Sequence, residues 1–144
     1  MADLSVMLTE ATEEVLENMF FSGVMGETAR MEETGDAGRL CATVSFAGSF
    51  TGQLTVSAAP ATIAVLAAGF LGAEEDSVVD TQARSVVGEL ANVLCGVMLG
   101  HLDPKGSFVI SPPEVSDASG VGQRELQKHF ELMEGDLAVG LTVH

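Results

Sequence analysis

Apolar residues recur at helical spacing in the first part of the chain, from Ser5 to about Val24. The residues that form this stripe are Leu8, Ala11, Val15, Leu16, Met19 and Phe20. Glutamates occupy most of the other side, in the early turns where a helix dipole favours acidic groups. The pattern predicts an amphipathic helix, and the polar, glycine-containing residues 26–38 predict a loop after it.

Two pairs of segments have the character of β-hairpins. Leu40–Phe46 and Phe50–Ser57 are rich in strand-forming residues and are separated by a short turn at residues 47–49. Near the end of the chain, Gln127–Met133 and Leu137–Val143 alternate in the same way around a Glu-Gly-Asp turn. Each pair predicts two antiparallel strands.

An apolar stretch between the hairpins, Ala58–Leu71, predicts a buried helix. Pro60 suits its first turn and Gly72 suits its end. The stretch is too short to cross a bilayer, which requires about 20 residues.

A longer helix follows. Ser77 stands three residues before Asp80, an arrangement similar to a capping box, and the pattern continues without proline to about His101. Ser107–Ser111 then predicts a strand that ends at two prolines, and residues 114–123 predict an exposed loop. The order of elements predicts an α+β fold in which helices cover an antiparallel sheet.

Length and composition favour one soluble domain spanning residues 1–144. Apolar residues make up 47% of the chain, which is enough to form a core. The start has neither a basic region nor a continuous apolar run, so we expect no signal peptide and a cytoplasmic location. The net charge of −15 argues against binding to nucleic acid or to an anionic membrane, because both require basic patches.

The cysteines and histidines show no spacing typical of a metal site. Cys41 and Cys95 lie among apolar residues, so we expect reduced packing residues rather than a disulfide or a nucleophile. His101, His129 and His144 are scattered along the chain. We therefore expect no metal site in this chain.

One face of the long helix differs from the rest. At about 100° per residue, Ser85, Glu89, Asn92 and Gly96 fall within roughly 60° of one another, opposite a broad apolar arc. Glu89 and Asn92 are three positions apart, so their side chains are neighbours. Spacing alone is more typical of an ordinary solvated face than of a functional site. Ser85 either hydrogen-bonds Glu89 or simply lies exposed.

The residues from Ser85 to Asn92, Ser-Val-Val-Gly-Glu-Leu-Ala-Asn, resemble the signature of the CheX/CheC/FliY chemotaxis phosphatases. That signature has Asp or Ser, then Glu four residues later, Asn three residues after it, and a later proline. Pro113 supplies this proline with 20 residues between it and Asn92, about two fewer than is usual in the family. The predicted order of elements over nearly the whole chain is also similar to a CheX-like fold.

The resemblance implies a phosphatase that removes phosphate from the aspartyl-phosphate of a CheY-like receiver domain. It implies that Asn92 positions the attacking water and that Glu89 pairs with the receiver's active-site lysine. Ser85, Gly96 and Pro113 would support the site or contact the partner. The receiver would supply Mg²⁺, so this chain would need no cofactor of its own.

Three further expectations concern the number of sites, the activity and the assembly. CheC-type members carry a second motif on the first helix, but here Glu14 is followed three residues later by Glu17, and Asn18 is displaced by one position. We therefore expect one active face. The alternative function is a non-catalytic CheX-like module that binds a receiver or a flagellar-switch protein. We also expect a homodimer, with Leu137–Val143 pairing or exchanging strands at a sheet edge.

Overall fold

In the described part of the chain, an antiparallel sheet of seven strands carries three α-helices on one face. The computed structural model describes residues 3–20, 22–28, 39–116, 126–133 and 135–143. The expected α+β class is confirmed. The helices are α1 (Leu4–Met19), α2 (Pro60–Leu71) and α3 (Asp80–Leu102), and the strands are β1 (Val24–Thr28), β2 (Leu40–Gly48), β3 (Gly52–Ala58), β4 (Phe108–Ile110), β5 (Glu114–Ser116), β6 (Leu126–Leu132) and β7 (Gly135–Val143).

The core lies between this sheet and the helices. Because side chains alternate along a strand, the facing pairs Ala42–Val56 and Val44–Leu54 point together toward the helices, and all four are fully buried. They form one cluster with apolar residues from all three helices.

The two halves of the chain interlock in the sheet, whose order is β1-β6-β7-β3-β2-β4, with β5 also on β2. The strand that precedes the first hairpin, β1, pairs with β6 of the second hairpin. The strands that precede the second hairpin, β4 and β5, pair with β2 of the first. At the centre, β3 and β7 pair along their length, from Gly52–Val143 to Ala58–Leu137.

The first helix is shorter than its apolar pattern predicts. It begins after Asp3, whose side chain accepts a hydrogen bond from the Ser5 N–H at 2.9 Å, and it ends at Met19. The predicted end near Val24 is wrong. Phe20 is buried and stacks on the ring of Phe70, with centroids 4.9 Å apart, so the chain turns there to enter β1.

The loop predicted for residues 26–38 is wrong at its start, because residues 26–28 belong to strand β1. Residues 29–38 lie outside the described part. Pairing with β6 and a polar network hold this strand. Lys128 Nζ donates to Thr9 Oγ1 at 2.6 Å and to the Glu27 carboxylate at 3.2 Å. The hydrogen bond from the Thr9 hydroxyl, with a further contribution from Lys128, lowers the pKa of Glu27 against an opposing effect of burial.

The start of α3 also differs from the prediction, and the expected capping box is wrong. The Ser77 hydroxyl donates to the carbonyl of Glu74 at 2.7 Å in a short turn, and α3 begins at Asp80. The side chain of Gln82 caps the start of the helix instead. Its Oε1 accepts a hydrogen bond from the N–H of Val79, the residue before α3, at 3.0 Å.

The other predicted elements are confirmed with small shifts. Both hairpins form, and α2 ends at Gly72 in a left-handed conformation. The first hairpin turn occupies residues 49–51 instead of 47–49, because β2 continues to Gly48. The loop predicted for residues 114–123 is wrong at its start, which forms β5 on β2, and residues 117–123 are outside the described ranges.

Strand β7 lies inside the sheet, where β6 pairs with one of its edges and β3 with the other. The expectation that Leu137–Val143 pairs with a second copy at a free sheet edge is therefore wrong, because both edges of β7 are used within the chain. Exchange of this strand between two copies stays a prediction. Among the described strands, the sheet ends at β1 on one side and at β4 and β5 on the other.

The cysteines are packing residues, as expected. Cys41 and Cys95 are both buried and neither forms a disulfide. Burial raises the pKa of the Cys95 thiol to about 12, so this side chain stays protonated at neutral pH and is a poor nucleophile.

The sheet face opposite the helices contains a buried histidine. His129 lies on β6 beside Ala138 and is only 8% exposed, and its Nδ1 has no hydrogen-bond partner within the described part of the chain. Burial lowers the pKa of His129, and the positive charge of Arg39 lowers it further, while Asp136 opposes the shift. The fold therefore favours the neutral imidazole.

We predict that the free energy of unfolding decreases as the pH falls through about 6.5, the ordinary pKa of histidine. The unfolded chain binds a proton there that the folded chain binds only at lower pH, which changes stability by at most about 1.4 kcal/mol per pH unit. Urea unfolding at several pH values measures the slope. His129→Gln should flatten it, whereas His101→Gln, at an exposed position, should leave it unchanged. Equal slopes for wild type and His129→Gln would contradict the prediction.

Candidate functional site

Helix α3 lies across β2 and β3 and contacts both other helices. It is the one helix within the described residues that is long and apolar enough to cross a membrane by length and composition, yet half of that stretch is buried inside the protein. Its packing identifies it as a core helix. The side chains on its buried face are Ala83, Val86, Val87, Leu90, Ala91, Leu94, Cys95, Met98 and Leu99.

The polar strip predicted on this helix lies on its outer side. Ser85, Glu89 and Gly96 are exposed and Asn92 is half-buried. Within the described residues, the side chains of Ser85, Glu89 and Asn92 form no hydrogen bond with one another or with a neighbour. Of the two alternatives for Ser85, the structure shows the exposed one. The carboxylate and the amide are therefore both available to a group from another molecule.

Gly96 leaves the surface beyond Asn92 open. A Cβ placed on Gly96 would meet no atom within 4 Å, and the same holds for Gly100 one turn further on. The helix backbone is thus accessible on this side, and Glu89 and Asn92 project without steric cover from the following turns.

The edge of the sheet beside α3 contains a bulge at the two prolines. Phe46 is opposite Ile110 in β4, and Thr43 is opposite Glu114 in β5, so this edge has one residue more than β2. A proline has no N–H for the ladder, which explains why the pairing is interrupted there. Pro112 and Pro113 form the interruption, and Ser111 immediately precedes it.

The bulge brings Pro113 against α3 at Gly88, which is buried. A Cβ placed on Gly88 would lie 3.2 Å from Cγ of Pro113 and 3.3 Å from Cγ2 of Val115. Glycine allows this close approach of the helix to the bulge. Gly88 immediately precedes Glu89 and is one turn before Asn92, so the contact supports the helical turn that carries the polar pair.

The helical turn before the motif carries an ion pair. Arg84 Nε donates to Asp80 Oδ2 at 2.9 Å, and the two side chains are 34% and 74% exposed. A pair so accessible to water contributes only about 0.5 kcal/mol or less to helix stability. Within the part of the chain that is described, no group of three His, Cys, Asp or Glu side chains has the arrangement of a metal site.

Comparison with known families agrees with this fold and motif. A family model described as chemotaxis phosphatase CheX matches residues 40–132, which include the motif helix and the proline bulge. The chain therefore belongs to the chemotaxis phosphatase CheX family. No curated protein is significantly similar to the chain in sequence.

Solved structures share the fold over almost the whole chain. The chemotaxis protein CheX from Vibrio vulnificus is 16% identical, with a TM-score of 0.79, over 99% of this chain and 97% of that one. A CheC-like protein from a Shewanella species is 17% identical, with a TM-score of 0.77, over 100% and 99% of the two chains. The CheX of Borrelia burgdorferi, solved with CheY, BeF3 and Mg²⁺, is 16% identical, with a TM-score of 0.75, over 99% and 98%. At these identities the likeness concerns the fold.

The sequence alone did not reveal the role of Gly88. It lies inside the motif, but in the sequence it only lowers the intrinsic helix propensity of its segment. Its contact with Pro113 joins residues that are 25 positions apart, and a local pattern cannot show such a contact. The sequence offered one indication of this contact, which was a glycine inside a helix together with a Pro-Pro pair further along the chain.

We predict different effects of alanine at two glycines of α3. Gly96→Ala should stabilise the protein by roughly 0.5–1 kcal/mol, because it raises helix propensity and meets no neighbour. Gly88→Ala should stabilise the protein by about 1 kcal/mol less than Gly96→Ala does, because Pro113 and Val115 must move to admit the methyl group. Urea unfolding of both variants measures the difference, and equal gains would contradict the proposed contact.

Proposed function

We propose that this protein hydrolyses the aspartyl-phosphate of a CheY-like receiver domain, with Asn92 and Glu89 as its functional side chains. The observation that carries the proposal is the bare helical turn that presents both side chains, in a chain of the chemotaxis phosphatase CheX family. The likeness to a CheX structure solved with CheY supports a receiver as the partner.

Asn92 would act on the attacking water. A side-chain amide has both a donor and an acceptor, so it can orient a water molecule toward phosphorus without removing a proton as a strong base would. The water oxygen forms the new bond to phosphorus while the bond from phosphorus to the aspartyl oxygen breaks. The products are inorganic phosphate and the free carboxylate. Such a reaction needs mainly positioning and charge stabilisation from the protein.

Glu89 would anchor the complex. Its carboxylate is exposed and has no partner among the described residues, so it is available to pair with the active-site lysine of the receiver. In this proposal Mg²⁺ belongs to the receiver, where it neutralises charge on the phosphoryl group, and this chain contributes no metal ligand.

The remaining predicted site residues would shape the contact. Ser85 and Gly96 lie on the same strip as the pair, and Pro113 supports it from the side at Gly88. The first helix presents Glu14 and Glu17 on an exposed acidic face, without an asparagine at the required spacing, which favours a single active face. A cytoplasmic location would follow from such a partner. A homodimer stays a prediction, and simple edge-to-edge pairing of two copies would need a strand other than β7.

We predict that Asn92→Ala slows the dephosphorylation of a phosphorylated receiver by roughly 100-fold, the usual effect of removing one positioned transition-state group. Its affinity for the same receiver loaded with BeF3 and Mg²⁺ should change little. Glu89→Ala should weaken that affinity, because the anchoring ion pair is lost. Phosphate release and titration calorimetry measure the two effects.

Glu14→Ala, at an exposed glutamate of α1, is the matched control and should change neither quantity. If wild type and Asn92→Ala give the same decay rate with every receiver in a panel, the phosphatase proposal is wrong. Receiver binding that persists without accelerated decay would favour the alternative, a non-catalytic binding module.

We also predict that Gly96→Leu blocks docking without damaging the fold. A leucine raises helix propensity, and its Cβ would meet no atom within 4 Å in the described part of the chain, so the unfolding midpoint should not fall. It would, however, occupy the open surface beside Asn92 and lower receiver affinity by at least about tenfold, equivalent to about 1.4 kcal/mol. Gly100→Leu, one turn further away, is the control and should bind like wild type. Equal affinities of the two variants would contradict this placement of the partner.

A further inference from the structure

The bulge beside α3 is held to the sheet by a reciprocal pair of hydrogen bonds. The Ser111 N–H donates to the carbonyl of Ser45 at 2.8 Å, and the Ser45 N–H donates to Ser111 Oγ at 2.9 Å. The second bond uses a side-chain oxygen where a strand ladder would use a backbone carbonyl. Ser111 therefore continues the pairing of β2 by one residue beyond β4.

This pair is the last hydrogen-bonded point before the prolines. Pro112 and Pro113 have no N–H to donate, and regular pairing resumes only at Glu114. The path of the two prolines is thus set by Ser111 on one side and by β5 on the other. Without the Ser111 hydroxyl, the half-buried N–H of Ser45 loses its acceptor, and the segment loses one of its two bonds there.

The prolines approach the motif most closely at Gly88. Pro113 lies against Gly88, and the next residue along α3 is Glu89. In an α-helix the N–H of Asn92 donates to the carbonyl of Gly88, four residues earlier. A shift of the bulge therefore acts on the turn from which the Asn92 amide projects.

We propose that Ser111 is a positioning residue for Asn92, acting through Pro113 and Gly88. It touches neither the partner nor the reacting atoms in this proposal. Its hydroxyl fixes the bulge, and the bulge fixes the distance between the motif turn and the sheet edge. The inference rests on the proposed phosphatase function, and it adds a side chain that the helix motif itself does not contain.

The test compares Ser111→Ala with Ser111→Thr, which keeps a hydroxyl oxygen at the same place. Ser107→Ala, at an exposed serine before β4, is the matched control. With a phosphorylated receiver at saturating concentration, Ser111→Ala should lower kcat by about tenfold, since small displacements of a positioning group have effects of this size. Its affinity for the BeF3-loaded receiver should stay within about twofold of wild type, and Ser111→Thr should restore kcat.

A second measurement requires no receiver. In two-dimensional NMR spectra of the free protein, Ser111→Ala should shift the backbone amide of Gly88 and the side-chain amide of Asn92. Amides near Met98, further along α3, should not shift. Ser111→Thr should return both signals toward their wild-type positions, and Ser107→Ala should leave them unchanged. A merely general loss of stability would lower the unfolding midpoint without this local pattern.

The outcomes separate the inference from the proposed function. Unchanged Gly88 and Asn92 signals in Ser111→Ala overturn the inference whatever the activity is. Shifted signals with an unchanged kcat, in an active wild type, also overturn it. A wild type that accelerates no receiver contradicts the proposed function and the effect of Ser111 on kcat together. Shifted signals, a lowered kcat and restoration by threonine support both.

Discussion

The packing of α3 across β2 and β3 is the interaction on which the rest of this structure depends. The helix has to bury a wide apolar face and still keep a narrow polar strip in contact with solvent. Its three glycines each cost about 1 kcal/mol relative to alanine in a helix interior. Burial of the apolar face offsets that cost, so a helix with weak intrinsic propensity is stable where it is packed.

Periodic segments were predictable from the sequence, and elements that depend on distant partners were not. Helix α2 and both hairpins have local patterns that match their environment, and the exposed strip of α3 followed from helical geometry alone. Strands β1 and β5 are short edge strands whose pairing partners are far away in sequence, so they resemble loops. The start of α3 was misplaced because the Ser77 hydroxyl donates to the carbonyl of Glu74 in a separate turn, while the side chain of Gln82 accepts from the N–H of Val79 just before the helix. The central position of β7 is a property of the topology, and no local pattern records it.

In the proposed function, the candidate site is only half of a reaction centre. Glu89 and Asn92 have no hydrogen-bond partner in the described part of the chain, so their polar atoms are left to solvent in the free protein. Docking would remove that water, so the site favours only a partner that replaces it with a cation for the carboxylate and with matched polar groups for the amide. The lack of hydrogen bonds within the chain leaves both side chains accessible, and it would also make docking selective for polar partners. An apolar partner would leave the carboxylate and the amide buried and unpaired.

The pairing of β3 with β7 has a consequence for how the chain folds. These strands form the middle of the sheet, yet about 80 residues separate them in sequence. The first hairpin and the helices can form from local contacts, but the sheet stays divided until the final strand arrives between β3 and β6. Such non-local closure slows folding and exposes unpaired strands in partly folded chains. Loss of the last strand would therefore remove the centre of the sheet and leave two separated pieces.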